Sequence, residues 1–266
     1  MRKKYKFNLG SEKYNIINWV IEKNNYQSFL DLGSGVYDHP ARHGMIECNH
    51  KVSVDVDKKS TYMMRFEDFF KIVDSGKHEN IKKFDCIYRD SGYTYHAIKT
   101  TLYKSFEMLN ENGTIICNFA DPRSKIFQRD IVEDEITDKA KYEKRHIPWG
   151  LSNWCSQTWK VLVEMQYDKN INADVTIISD SDNIHHGLGV IRKINNIDFL
   201  KIKKQIVANF DQNYLNYDFY EKNKTSVVRY VGENEFINDH LSYENSIKSN
   251  FEYWNKKLIN KSSEIK

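Results

Sequence analysis

With 266 residues, 40% of them hydrophobic and 29% charged, the chain is long enough for one large α/β domain with an extension or for two small domains. Its 40 basic residues against 37 acidic ones leave a net charge of +3 with the signs interspersed, so the strong positive field of a protein that grips long nucleic acid by its phosphates is missing. No apolar run approaches a membrane span, and the basic opening MRKKYKFNLG lacks the apolar stretch of a signal peptide, so a cytoplasmic location without membrane contact is expected.

The cysteines Cys48, Cys86, Cys117 and Cys155 are widely spaced and form no CxxC pair, which points to reduced core residues rather than a disulfide framework or zinc site. Ser11 is placed to cap a first helix in which Tyr14, Ile17, Val20 and Ile21 fall at helical spacing. That helix ends near Asn24 and Asn25 and covers either the sheet edge or a ligand mouth. Next comes Phe29 to Tyr37, FLDLGSGVY. Its apolar run predicts a buried strand, and Gly33, Ser34 and Gly35 remove the bulk that would keep a ligand from the backbone. Such a strand and turn open a Rossmann-like nucleotide site, although Tyr37 or Asp38 stands where the third glycine of a dinucleotide fingerprint would fall. His39 and His43 follow closely enough to reach a substrate and suit the surface equally well.

Lys51 to Val56, KVSVDV, alternates as a strand and carries Asp55 near its end, some twenty residues after the glycine turn. Thr61 to Phe70 fits a third strand or a helix, with Glu67 and Asp68 following its apolar part. Phe84 to Tyr88, FDCIY, is a short strand closed by Arg89 and Asp90, after which Ser91 and Gly92 turn the chain. Ala97, Ile98, Thr101, Leu102, Ser105, Phe106 and Leu109 mark one face of a helix that Asn110 to Gly113 stop, and Thr114 to Phe119 is the next strand. This rhythm predicts parallel pairing with right-handed crossovers. Asp121 to His146 is charged and suits a lid, insertion or solvent-side helix, and Trp149 to Met165 is an amphipathic stretch. Trp149, Trp154 and Trp159 are expected in core and lid packing. Val175 to Ile178 and Gly187 to Ile191 are joined by a link short enough for an antiparallel hairpin, whose His185 and His186 are expected in solvent. A boundary falls at Asn195, dividing a main domain, 1–195, from a helical extension, 196–266. Tyr214, Tyr217, Phe219 and Tyr220 in that extension suit packing on the main domain, a site cover or a homodimer face.

In this order, over roughly residues 26–194, the pieces resemble the class I S-adenosylmethionine-dependent methyltransferases. FLDLGSG is similar to their first motif, VSVDVD to the second strand with its acid, FDCIYRD and NENGTIICNF to the fourth and fifth strands, and GLGVIRK to the last strand. Within the class, RDSGYTYHAIKTTLYKSFEMLNENG is similar to small-molecule O-methyltransferases that carry an acid-glycine-acid-His-Ser-Tyr pattern after the fourth strand. The resemblance implies a Rossmann-like α/β fold: a seven-stranded, mostly parallel sheet with an antiparallel last strand and helices on both faces, joined here to a mainly helical C-terminal extension.

It also implies S-adenosylmethionine as cofactor. Gly33, Ser34 and Gly35 would meet its methionine part, Asp31 would hold the loop or the amino group, and Tyr37 would shape the pocket. Asp55 would accept from the ribose hydroxyls, Asp68 from the adenine amine, and Asp90 would face the amino group or the acceptor. Where the family pattern has a histidine this chain has Tyr93, and its second acid is Gly92; His96 is a substitute base, so the catalytic candidates are Asp90, Tyr93 and His96. Asn118 and Asp121 are offset from the family's metal ligands, and no metal is expected. The implied activity is O-methylation of a small polar acceptor such as a sugar or other metabolite. Nucleic-acid methylation lacks its Pro-Pro-aromatic signature here, an NAD-dependent oxidoreductase lacks its third glycine, and a catalytically inactive cofactor-binding module stays open because of Tyr93.

Overall fold

Parallel strands buried on both faces need apolar runs rather than strict alternation. The structure, a computed structural model, describes residues 12–33, 41–56, 59–76, 83–90, 94–122, 124–128, 155–179 and 186–263. Runs of that kind form β1 (Ser28–Leu32), β2 (His50–Asp55), β4 (Phe84–Arg89) and β5 (Leu109–Asn118), with the two-residue β3 (Tyr62–Met63) at one edge. β6 (Ala173–Ile178) and β7 (Leu188–Lys193) form the expected antiparallel hairpin, and β8 (Arg229–Val231) closes the other edge. The order is β3-β2-β1-β4-β5-β7-β6-β8, with β7 antiparallel to both neighbours and all other pairs parallel. The seven strands of the expected Rossmann-like sheet are therefore present, and Arg229–Val231, after Asn195, adds an eighth.

Alternation along the strands sends side chains to two cores. Leu30, Leu32, Val54 and Ile87 face α3 (Phe66–Asp74), α4 (Tyr95–Glu107) and α5 (Thr158–Tyr167), while Phe29, Cys86, Tyr88 and Ile116 face α1 (Glu12–Asn24). The helix α1 lays Tyr14, Ile17, Val20 and Ile21 on the sheet, at the spacing expected from the sequence. The hydroxyl of Thr94 caps α4 by accepting from Ala97 N at 3.3 Å, and the helix buries Ile98, Thr101, Leu102, Ser105 and Phe106. Each large apolar side chain so buried contributes roughly 1.5–3 kcal/mol.

Two expectations are corrected and one open alternative is resolved. Asn110 to Gly113 do not stop a helix; α4 ends at Glu107 and these residues lie within β5. The cause is a register shift: Phe84 pairs with Leu109 but Cys86 with Thr114, so β5 bulges, and Asn110 donates to Asp85 Oδ1 at 2.6 Å across it. A side chain at Gly113 would press on Asn110 O and Asp85 O, at 2.9 and 3.0 Å. The segment Thr61 to Phe70, open between strand and helix, is a strand of two residues followed by α3. His186 is buried rather than solvated: its ring stacks on Phe119 at 5.8 Å, and both residues take the left-handed backbone, φ 73 and 67.

The chain after Asn195 runs through α6 (Ile197–Ala208), α7 (Tyr217–Val227), β8 and α8 (Tyr243–Ser263). Phe199, Ile202, Ile206, Tyr220 and Trp254 join the same core as the sheet. Trp159 is fully buried and stacks on Tyr220 at 4.4 Å, and Tyr217 donates to Pro122 O at 2.9 Å, while Phe219 stays exposed. All four cysteines are free, with Cys86, Cys117 and Cys155 buried.

Candidate functional site at the carboxyl ends of β2, β1 and β4

In an open parallel sheet the strand order reverses where crossovers leave to opposite sides, and ligands bind there, beyond the carboxyl ends. Here the reversal lies between β1 and β4. The turn after β1 is tied on both flanks: Gly33 N donates to Val54 O at 3.0 Å, and Asp90 N donates to Leu32 O at 2.9 Å. Gly33 has φ 94, a conformation that favours glycine and leaves the backbone open to close approach.

Three carboxylates lie along this edge, Asp55 at the end of β2, Asp31 on β1 and Asp90 just after β4; the charges of Asp55 and Asp90 both act on Asp31. Asp31 is only 2% exposed. His43, on the short helix α2 (Ala41–Gly44), brings Nδ1 to 3.3 Å from Asp31 Oδ2, whereas Asp31 Oδ1 is buried without a hydrogen-bond partner among the described residues. Burial pushes the Asp31 carboxyl up, His43 pulls it back, and the neighbouring acids add to the rise.

Asp90 is the opposite case. Lys13 Nζ from α1 donates to Oδ2 at 2.9 Å, Tyr88 Oη donates to the same oxygen at 3.0 Å, and Asn118 Nδ2 donates to Oδ1 at 2.9 Å. The ion-paired side chains are 21% and 9% exposed. Burial alone would raise the Asp90 carboxyl, but Lys13, Asn118 and Tyr88 outweigh it and hold the group below the usual carboxylate range. Burial and the Asp90 charge push the Tyr88 phenol well up, so it serves as a donor.

The structure therefore brings Asp31, Gly33, Asp55 and Asp90 together. It does not bring Asp68 or His96 into contact with them among the described residues. Asp68 lies in the first turn of α3, 55% exposed, and accepts from Lys71 Nζ at 2.9 Å. His96 is exposed at the start of α4. Ser34, Gly35, Tyr37 and Tyr93 lie outside the described residues, as do Ser11, His39, Trp149, Trp154, His185 and nearly all of Asp121 to His146. Asp121 itself is buried; Lys224 donates to its Oδ1 at 3.3 Å and the Tyr230 hydroxyl to its Oδ2, so it clasps the extension. Among the described residues there is no group of three metal-ligating side chains, and no helix is long and apolar enough to cross a membrane.

Lys13 was missed by sequence reasoning, and His43 was named without its partner. Neither carries a local signal, since packing of α1 and α2 against the sheet creates both contacts.

Fold and site together define a Rossmann-like α/β protein with an acidic edge at the switch point of its sheet. No protein-family model and no curated protein sequence matches the chain. Among solved structures it is similar to an O-methyltransferase from Bacillus cereus in complex with SAH, at 9% identity over 71% of this chain and 83% of that one, with a TM-score of 0.44. It is also similar to the O-methyltransferase TomG from Streptomyces achromogenes in complex with SAM, at 8% identity, coverage of 72% and 83% and a TM-score of 0.43. A third is the N-methyltransferase NodS from Bradyrhizobium japonicum, at 11% identity, coverage of 68% and 94% and a TM-score of 0.35.

Proposed function

We propose that the chain is an S-adenosylmethionine-dependent methyltransferase that O-methylates a small polar acceptor, such as a sugar or another metabolite hydroxyl. The observation that carries this reading is the row of Asp55, Asp31 and Asp90 on three adjacent strand ends beside the Gly33 turn. A row of three carboxylates suits a ligand bearing positive charge, and Asp31 Oδ1, which has no hydrogen-bond partner among the described residues, can accept from it.

S-adenosylmethionine, when bound, supplies a methyl group on a sulfonium, an already activated donor. The chain's own residues bind and orient. The two oxygens of Asp55 accept from a pair of vicinal ribose hydroxyls, Asp31 and Asp90 face the ammonium end, and Asp68 takes the adenine amine. Tyr93 and His96 remain the candidates for contact with the acceptor. Alignment of donor and acceptor is worth up to ~7–11 kcal/mol, so no metal or covalent intermediate is required.

Calorimetric titration with S-adenosylmethionine and its demethylated product tests this. Saturable binding is expected, and Asp55→Ala should weaken it at least about tenfold, since hydrogen bonds to a charged group contribute roughly 1.5–3 kcal/mol. Absence of binding, or unchanged affinity in the variant, refutes the reading.

A non-catalytic cofactor-binding module is the second reading. It is favoured by the engagement of both Asp90 oxygens by Lys13, Tyr88 and Asn118, which leaves this carboxylate poorly suited to take a proton. Binding without transfer of labelled methyl to any acceptor in a fractionated cell extract would select it.

A further inference from the structure

We infer that His43 is a positioning residue: by holding one oxygen of Asp31 it leaves the other as the open acceptor for the positively charged end of a ligand at the mouth. The identity of that ligand rests on the proposed cofactor.

The geometry is specific. Alternation along β1 puts Phe29 and Asp31 on one face, and the imidazole spans both: its centroid is 6.3 Å from the Phe29 ring, and Nδ1 is 3.3 Å from Asp31 Oδ2. The backbone of α2 is anchored as well, because Lys51 Nζ from β2 donates to His43 O at 3.1 Å and to Ile46 O at 2.9 Å. The ring is 26% exposed and the carboxylate 3%, so the imidazole is the solvent-side partner of a buried acid. With its proton on Nδ1 the ring donates to Oδ2, which fixes the plane of the carboxylate and hence the direction of Oδ1.

Oδ1 is the second observation. A buried carboxylate oxygen without a donor costs about 1–3 kcal/mol or more, a cost a ligand's N–H groups can remove. An ammonium is the best fit, since Asp55 on β2 and Asp90 just after β4 add negative charge beside Asp31. On the same edge Lys13 of α1 is committed to Asp90, and Tyr88, the neighbour of Asp31 in β4, donates to Asp90. Lys51 adds positive charge behind His43.

The consequence is a pH dependence with a definite sign. Burial, Asp90 and Asp55 all favour the protonated form of Asp31, and His43 opposes them. Without the imidazole, Asp31 takes up a proton at higher pH, and a neutral carboxyl attracts an ammonium far less. Affinity for an ammonium-bearing ligand then falls as pH is lowered.

The test uses the full chain, wild type, His43→Leu and His43→Gln, with S-adenosylmethionine as probe between pH 6 and pH 9. Thermal melts first establish that each variant is folded. The inference expects His43→Leu to bind about tenfold more weakly at pH 6 and within about threefold of wild type at pH 9, and His43→Gln, which keeps an N–H donor, to stay within about threefold throughout. A loss of equal size at every pH, as a merely structural role would give, overturns it, and so does no loss at all. In parallel, carboxyl-carbon NMR of aspartate-labelled protein follows Asp31 without ligand. Its titration should move upward in His43→Leu; an unmoved titration overturns the inference. If wild type binds no S-adenosylmethionine but the Asp31 titration moves, the cofactor reading fails and the role of His43 in holding Asp31 stands.

Discussion

The two ends of the sheet both bury charge, and they use it differently. At the carboxyl ends of β2, β1 and β4, Asp31, Asp55 and Asp90 face Lys13 and His43, so acids outnumber permanent cations among the residues grouped there. At the opposite end, where β6 begins and β7 finishes, Asp174 and Arg192 sit opposite each other in the ladder, with Lys203 of α6 nearby. There the cations hold main chain. Arg192 donates to His240 O at 2.6 Å, Leu241 O at 3.0 Å and Thr114 Oγ1 at 3.1 Å, and Lys203 donates to Ala173 O at 2.7 Å, Met165 O at 3.2 Å and Gln166 O. Asn250 of α8 donates to Asp174 Oδ2 at 2.5 Å and to Thr176 Oγ1 at 3.1 Å. Burial of charge is thus no mark of function by itself. The far end spends its cations on joining α6 and α8 to the sheet, whereas at the carboxyl ends Lys13 and His43 are spent on the side chains of Asp90 and Asp31.

Substitutions should separate the two ends. The largest effect is expected from Arg192→Ala, which strips two backbone carbonyls and Thr114 Oγ1 of their donor and removes a positive charge that acts on Asp174. It should cost roughly 3–5 kcal/mol of stability in denaturant unfolding and leave cofactor affinity per folded molecule unchanged. Asp55→Ala should show the reverse signature, lost affinity at nearly unchanged stability. A large loss of affinity in Arg192→Ala would dissolve the distinction.

The next effect is a pH slope. Burial pushes the Lys203 ammonium from 10.5 down to about 7, against the pull of Asp174. Between those values the unfolded chain carries a proton that the folded chain releases, so this group's contribution to stability rises with pH through that window and is lost as pH falls through about 7. Lys203→Met should flatten the rise, as read from urea midpoints across the window; an unchanged slope would show that the three carbonyls keep the lysine charged.

The smallest effect belongs to Asp68→Ala. Exposed ion pairs such as Lys71 with Asp68 contribute about 0–1 kcal/mol, so stability should barely change, and affinity for S-adenosylmethionine should fall only about two- to fivefold. Unchanged affinity would remove Asp68 from the proposed adenine contact, and a larger loss would make α3 a principal part of the site.

Much of this architecture is legible in the chain. β1, β2 and β4 are short apolar runs that finish at glycine or acid, so Gly33, Asp55 and Asp90 fall at strand ends by local pattern, as the hairpin of β6 and β7 does. What the sequence hides is made by packing or by backbone exceptions. NENG reads as a helix stop because the bulge of β5 borrows turn residues, and β8 has only three residues, too few for alternation to register. His186 looks like a loop residue until Phe119, at positive φ, turns its ring beneath it. Lys13 lies 77 residues from Asp90, and no spacing rule connects them.

The most direct test of the central claim is a crystal structure of the chain with S-adenosylhomocysteine. The account predicts the homocysteine portion over Gly33, its ammonium at Asp31 Oδ1 or Asp90, and the ribose hydroxyls on Asp55. A ligand bound anywhere else on the sheet, or with its ribose away from Asp55, would contradict it.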